Sequence, residues 1–167
     1  RGVRVTAATC PNYCTRTDEV IATFDTNTKV NPPISEERDR RAVIEGLKDG
    51  TLDCIVTDHA PHHEDDKNVE YALAAFGISG LETSFALSYT QLVKGGALTL
   101  SELARKMSAA PAAILSLQGG AVEEGGVADL TIADLNAQWT IDPATFVSKG
   151  KNTPFAGRQV FGKVRYT

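Results

Sequence analysis

Cysteine is scarce: only Cys10, Cys14 and Cys54 occur among 167 residues. An odd, sparse set excludes a secreted disulfide framework, and Cys10 and Cys14 stand four apart with no second pair to complete a zinc ribbon. The reading is three free thiols in a reducing cytoplasm. Charge of one sign is not in large excess, because 17 Lys+Arg against 21 Asp+Glu leave a net charge of -4. The densest basic group, Arg38, Arg40 and Arg41, lies among Glu36, Glu37 and Asp39, so no basic stripe marks a nucleic-acid partner. No apolar run approaches the ~18 residues of a membrane span. Arg1-Gly2-Val3-Arg4 leads into a short β-like run rather than the apolar stretch of a leader peptide. There is no Gly-x-Ser-x-Gly elbow, no phosphate loop and no glycine fingerprint in a dinucleotide-binding context. Serine-based hydrolysis therefore lacks support. The chain has no initiator Met and is expected to be part of a longer protein. It is too short for a complete (β/α)8 barrel, which needs about 250 residues.

What is present is ordinary globular material, 42% hydrophobic and 23% charged, enough for a real core. Residues 3–9 alternate with β-branched positions and predict a strand, broken by Cys10-Pro11-Asn12-Tyr13. Residues 29–35 hold two successive prolines and read as a loop. Ser35 is the expected N-cap of a helix with Glu36 and Glu37 in its first turn, Ala42, Val43 and Leu47 on its inner face, and Gly50 at its end. Residues 52–57 form the sharpest strand, with the continuous apolar run expected of a parallel strand buried on both faces. Strand, helix, strand is the βαβ signature of an α/β fold. Further on, Leu81, Phe85, Tyr89 and Leu92 recur at helical spacing as a core stripe, and Gly95-Gly96 ends that helix. Thr99 and Glu102 form a capping box for the next helix, which Pro111 interrupts. From Gly119 the texture turns Gly-rich and β-like, with strands expected over 128–132 and 160–166, distinct from the α/β part.

All three histidines fall in Thr57-Asp58-His59-Ala60-Pro61-His62-His63-Glu64-Asp65-Asp66, which begins at the C-terminal end of the best strand. In parallel α/β folds reactive groups gather at that end. Asp58 would enter a cleft there, as a metal ligand or as an acceptor of a proton. The alternative is a strand-end residue bonding local backbone N–H groups. His63, Glu64, Asp65 and Asp66 read as a solvated loop. One carboxylate cannot hold a catalytic zinc, which needs about three protein ligands, so further ligands would lie elsewhere.

These residues carry a family resemblance. Thr57-Asp58-His59-Ala60-Pro61-His62 followed by Lys67 resembles the second signature of the dihydroorotases, in the amidohydrolase superfamily. Lys29-Val30-Asn31-Pro32-Pro33 resembles their substrate loop, and Phe76-Gly77-Ile78-Ser79-Gly80-Leu81-Glu82 their F-G-x-x-G-L-E segment. Ser148-Lys149-Gly150-Lys151-Asn152-Thr153-Pro154-Phe155 and Gly126-Val127-Ala128-Asp129-Leu130 resemble two late segments, and the matches run in order along nearly the whole chain. Two positions depart. Where many members have Thr-Pro-His-His this chain has Cys10-Pro11-Asn12-Tyr13, a form closer to dihydropyrimidinases, and Val56 stands where a smaller residue is usual.

The resemblance implies zinc-dependent interconversion of carbamoyl-aspartate and dihydroorotate in pyrimidine synthesis, with one or two zinc ions. Asp58 matches the aspartate after the eighth barrel strand, which contacts metal and moves a proton from the attacking nucleophile to the leaving ring nitrogen. Asn31 and His62 match substrate-binding positions, and Phe76 and Gly77 a segment whose backbone meets the pyrimidine ring. The implied fold is α/β, the C-terminal part of a (β/α)8 barrel: residues 1–118 hold the last two strands and helices, and 119–167 a β-rich appendage. The family's His-x-His, bridging carboxylate and two later histidines would precede this segment, so the isolated piece is expected to bind no catalytic zinc. Its uncovered strand edges are expected to cause self-association, rearrangement or marginal stability. Expected partners are the small-molecule substrate, further copies of the chain, and aspartate transcarbamoylase. Two alternatives stay open: a dihydropyrimidinase- or allantoinase-like enzyme, against which His62 argues as a cation for a substrate carboxylate, and a non-catalytic assembly subunit.

Overall fold

Two short parallel strands frame the N-terminal half. A computed structural model describes residues 3–167, so Arg1 and Gly2, the start of the stretch read for a leader, lie outside the described residues. Strand β1 (Ala8–Thr9) pairs with β2 (Cys54–Ile55), Ala8 opposite Cys54 and Thr9 opposite Ile55. Backbone bonds extend the pair at both ends, from Asp53 N to Ala7 O and from Val56 N to Thr9 O, each 2.8 Å. The strand expected over 3–9 is thus paired only at its last two residues. A strand needs a neighbour for its ladder, and Val3 and Val5 lie about four-fifths exposed.

Between the strands run helix α1 (Pro11–Thr15), 3₁₀ turns at Asp18–Thr23 and Thr26–Thr28, the proline loop, and α2 (Glu37–Asp49). Pro11 starts α1 where its missing donor is not needed. Glu36, not Ser35, occupies the N-cap of α2, because the Ser35 carbonyl is taken by the Asp18 N–H at 3.0 Å. Gly50 ends α2 in the left-handed region, at φ 87°. Val43, Ile44 and Leu47 face the core, whereas Ala42 is exposed.

After β2 come the single turn α3 (Glu64–Lys67), α4 (Ser84–Ser88), continued by a π-helical turn Tyr89–Val93, and a third helical run. Leu81 precedes α4 and is exposed; Phe85, Tyr89 and Leu92 carry the stripe without it. The third run is α5 (Leu100–Ala104), a π-helical turn Arg105–Ala109, and α6 (Ala110–Ile114). Its capping box forms as expected, Thr99 N–H donating to Glu102 Oε2 at 2.7 Å and Glu102 N–H to Thr99 Oγ1 at 3.2 Å. Pro111 does not interrupt this run, because it stands in the first turn of α6, where the preceding wide turn has already shifted the hydrogen-bond register.

The chain ends in an antiparallel hairpin, β3 (Ile132–Thr140) and β4 (Gln159–Tyr166), with register breaks between Ile132 and Ala133 and between Asp134 and Gln138. Residues 128–131, expected in a strand, are unpaired and exposed. The C-terminal segment shares a core with the α/β part instead of forming its own. Ile141, Phe146, Phe155 and Val160 pack with Val30, Ile34, Ile78 and Leu87. A second cluster gathers Cys14, Leu47, Ile55, Leu92, Leu98 and Leu103 around α2 and β2. The three thiols are free and buried. Among the described residues no helix is long and apolar enough to cross a membrane.

Candidate active site

The C-terminal tips of β1 and β2 lie side by side, and the residues leaving them meet. Asp58 follows β2 at φ 48°, a left-handed conformation that Asp adopts more readily than most residues. It is exposed. Its charge reaches Cys10 and Tyr13 at the end of β1. Burial first, then the Asp58 charge, pushes the Cys10 thiol up to about 11, so it stays protonated at neutral pH. Burial, together with the charges of Cys10 and Asp58, pushes the Tyr13 phenol up as well. That phenol keeps its proton and donates it to Pro32 O at 2.7 Å, tying the proline loop to the strand tip. Asn31, in this loop, is exposed.

The histidines divide into three roles. His59 Nδ1 accepts the backbone N–H groups of Gly80 and Leu81 at 3.1 and 3.2 Å, so the ring is neutral at that atom. Its Nε2–H then points to Ser148 Oγ, 3.4 Å away. Both nitrogens serve the scaffold. His62 donates from Nε2 to the Phe76 carbonyl at 2.8 Å, because a carbonyl can only accept. His63 caps α3, accepting the Asp65 N–H at 3.2 Å, and stays exposed with its acidic neighbours. The expected solvated loop is in fact one exposed helical turn.

Loops from far along the chain close around 58–62. Ala60 N–H donates to Ile78 O at 2.8 Å, and Gly77 N–H to Lys29 O at 2.9 Å. Gly77 has φ 118°, and a Cβ there would stand 2.4 Å from that of Ala60, so only glycine fits. A Cβ on Gly150 would stand 2.7 Å from His62 N. Phe76 is more than half exposed, with the Lys29 ammonium 4.5 Å from its ring centre. The structure thus joins His62 to Phe76 and the Gly77 turn to the Lys29 end of the loop that holds Asn31, while Asp58 stands at the tip of β2 beside Cys10 and Tyr13.

Three supporting residues carried no role in the sequence reading. Lys67 is buried, and its ammonium donates to Ala75 O at 2.8 Å and Gly77 O at 3.1 Å, while desolvation lowers its pKa. Asn152 and Ser79 are buried between the loops. The sequence reading sets all three inside the segments that resemble the family, without giving any of them a task. A concavity of about 850 Å³ opens along this loop, lined by His62, Lys67, Lys149, Lys151, Asn152 and Asp25 among others; Asp58 does not line it. Among the described residues no three metal-binding side chains converge. Asp58 could lend one oxygen to a metal.

The sequence model of the Amidohydrolase family matches residues 3–167, and the chain belongs to that family. Within it, the chain is similar to curated proteins named dihydroorotase. It is 57% identical over 167 residues to that of Syntrophus aciditrophicus (strain SB) and 53% identical over 167 residues to that of Ruminiclostridium cellulolyticum, covering 100% of this chain and 39% of each relative. The chain thus spans about two fifths of the relatives it matches. Among solved structures it is similar to the L-hydantoinase (dihydropyrimidinase) from Arthrobacter aurescens, with a TM-score of 0.89 and 31% identity over 98% of this chain and 38% of that one. It shares the fold of the dihydropyrimidinase from Brevibacillus agri, with a TM-score of 0.88 at 24% identity, over 96% of this chain and 37% of that one.

Proposed function

We propose that the complete protein is a dihydroorotase, catalysing the reversible cyclisation of carbamoyl-aspartate to dihydroorotate. The observation that carries this reading is the 57% identity, unbroken over the whole chain, with a curated dihydroorotase. In it, residues 1–118 are the last part of the catalytic barrel and 119–167 a β-rich segment that closes it. Asp58 is the acid/base: its carboxylate takes a proton at the strand tip and returns it to the leaving ring nitrogen. Asp58 is also one ligand of a zinc site with one or two ions, whose remaining ligands come from outside this chain. Bound zinc supplies Lewis acidity near neutral pH.

His62, Asn31, Phe76 and Gly77 hold the substrate. Because the Phe76 carbonyl keeps a proton on His62 Nε2, the other ring nitrogen donates to a carboxylate only as imidazolium. A carboxylate-bearing substrate then gains a charge-assisted hydrogen bond. The three buried free thiols accord with a cytoplasmic location. Exposed Val3, Val5 and Val56 at the β1–β2 pair accord with cover by the rest of the barrel, and the complete protein is read as a homo-oligomer, with aspartate transcarbamoylase as a further partner.

A second reading has its own support: Cys10-Pro11-Asn12-Tyr13 and the 31% identity to an L-hydantoinase favour a dihydropyrimidinase-like enzyme. Turnover of dihydroorotate, dihydrouracil and allantoin by the complete protein separates the two. Dihydroorotate is the expected substrate; turnover of the neutral rings alone would refute the choice. Metal analysis of the same sample is expected to find zinc.

A further inference from the structure

One buried carboxamide joins the segments on which the proposed site depends. The Asn152 side chain accepts at Oδ1 from the His62 N–H at 2.9 Å, and donates from Nδ2 to Ala60 O at 3.0 Å and Gly77 O at 3.1 Å. Ser79 Oγ lies 3.0 Å from the same Oδ1 and donates to Gly150 O at 2.7 Å. The Asn152 carbonyl accepts the Ser79 N–H at 2.7 Å. Both donors of the amide and its acceptor oxygen are thereby used. The partners lie 90, 92 and 75 residues away in sequence, so no local turn calls for these bonds.

The group is chemically specific. A carboxylate at 152 could still accept from His62 N–H, but it would face two carbonyl oxygens with no proton to give. An alkyl side chain would leave the part-buried His62 N–H and Ala60 carbonyl short of a partner. The Gly77 carbonyl is gripped from a second side by the Lys67 ammonium. The tie therefore acts on the two segments that meet substrate in the reading above, the one bearing His62 and the turn bearing Phe76 and Gly77.

We propose that Asn152 is a positioning residue of this site: its carboxamide sets the spacing between His62 and the Phe76–Gly77 turn, so that the carboxylate and the ring of one substrate are met together. The proposal rests on the dihydroorotase reading. Its chemistry predicts an effect on substrate binding rather than on the proton transfer at Asp58, which has no bond to Asn152 among the described residues.

The test uses the complete protein as wild type, Asn152→Asp and Ser79→Ala, with two measurements. In the first, Asn152→Asp is expected to raise KM for dihydroorotate by about tenfold while kcat changes by less than about threefold, and Ser79→Ala to raise KM by about threefold. In the second, hydrogen–deuterium exchange without substrate is expected to quicken in residues 60–62 and 76–78 together. Unchanged KM in both variants, a fall in kcat at constant KM, or unchanged exchange at both segments overturns the proposal. Should Asn152→Asp not fold, Ser79→Ala decides by the same two measurements. A wild-type protein inactive on dihydroorotate refutes the functional reading instead, and the exchange measurement alone then judges Asn152.

Discussion

Residues 58–80 with 148–152, and residues 119–131, are both glycine-containing irregular chain, yet they are constrained in opposite ways. In the first region Gly77, Gly80 and Gly150 are pressed by neighbours, so an added Cβ would stand 2.4, 2.7 and 2.7 Å from another atom. In the second, Gly119 and Gly125 have positive φ but open space around them, and residues 121–131 are all exposed. Similar composition thus conceals a packed scaffold and a free connector. The glycines named in the first are required by their surroundings, and Gly119 and Gly125 in the second only by their own backbone, although Gly120, at the edge of that region, also lies close to Ala109 and Ala112.

Substitution would test that contrast most sharply at Gly77. Gly77→Ala combines a backbone conformation reserved for glycine with a clash against Ala60, and is expected to destabilise the complete protein by about 3 kcal/mol in urea unfolding. A midpoint unchanged from wild type would deny that the loop is packed. Next comes the chemistry that the scaffold presents. Asp58→Asn is expected to lower kcat at least about 100-fold with the fold retained, since general acid–base groups contribute about 10²–10⁴; steady-state kinetics with a circular dichroism control decide it.

The buried thiols at the end of β1 and in α1 give a pH dependence. Burial raises Cys10 to about 11 and Cys14 to about 12, above the ordinary thiol value of 9.0. Their neutral forms are favoured in the folded chain, so their contribution is complete below pH 9.0 and is lost as pH rises towards those values and the unfolded chain ionises first. Cys14→Ala should flatten the fall of stability between pH 9.0 and about 12, by up to about 1.4 kcal/mol per pH unit, as read from urea midpoints. The smallest effect belongs to the free connector. Gly125→Ala should cost about 1 kcal/mol or less, since only the backbone conformation at φ 79° resists it. A loss as large as that at Gly77 would erase the distinction between the regions.

Elements with a local cause were legible from the residues. The Thr99–Glu102 capping box and the stop at Gly50 stand as their chemistry predicts, because each depends on atoms a few residues apart; the strand expected over 160–166 also forms, as Gln159–Tyr166, because β3 supplies its ladder. Elements that need a distant neighbour were not. Residues 3–6 and 128–131 have strand composition but no ladder partner among the described residues, and Leu81 has helical spacing but sits in the turn before α4. Pro111 defeats its usual reading through a π-helical turn that nothing local announces. At the site, the spacing of Asp58 to the end of an apolar strand was visible. The fate of His59, with both nitrogens spent on Gly80, Leu81 and Ser148, was not, since those partners lie 21, 22 and 89 residues on.

The residues by themselves determined the family, the βαβ order and the strand-end position of Asp58, because hydrophobic period, turn chemistry and local motif are written in short spans of chain. Only the folded chain decided how the His62 segment is joined to the Phe76–Gly77 turn, and that Lys67, Ser79 and Asn152 brace the two. Those ties are buried hydrogen bonds to backbone atoms far along the chain. A backbone carbonyl looks the same at every residue, so no pattern of side chains could reveal which ones would meet.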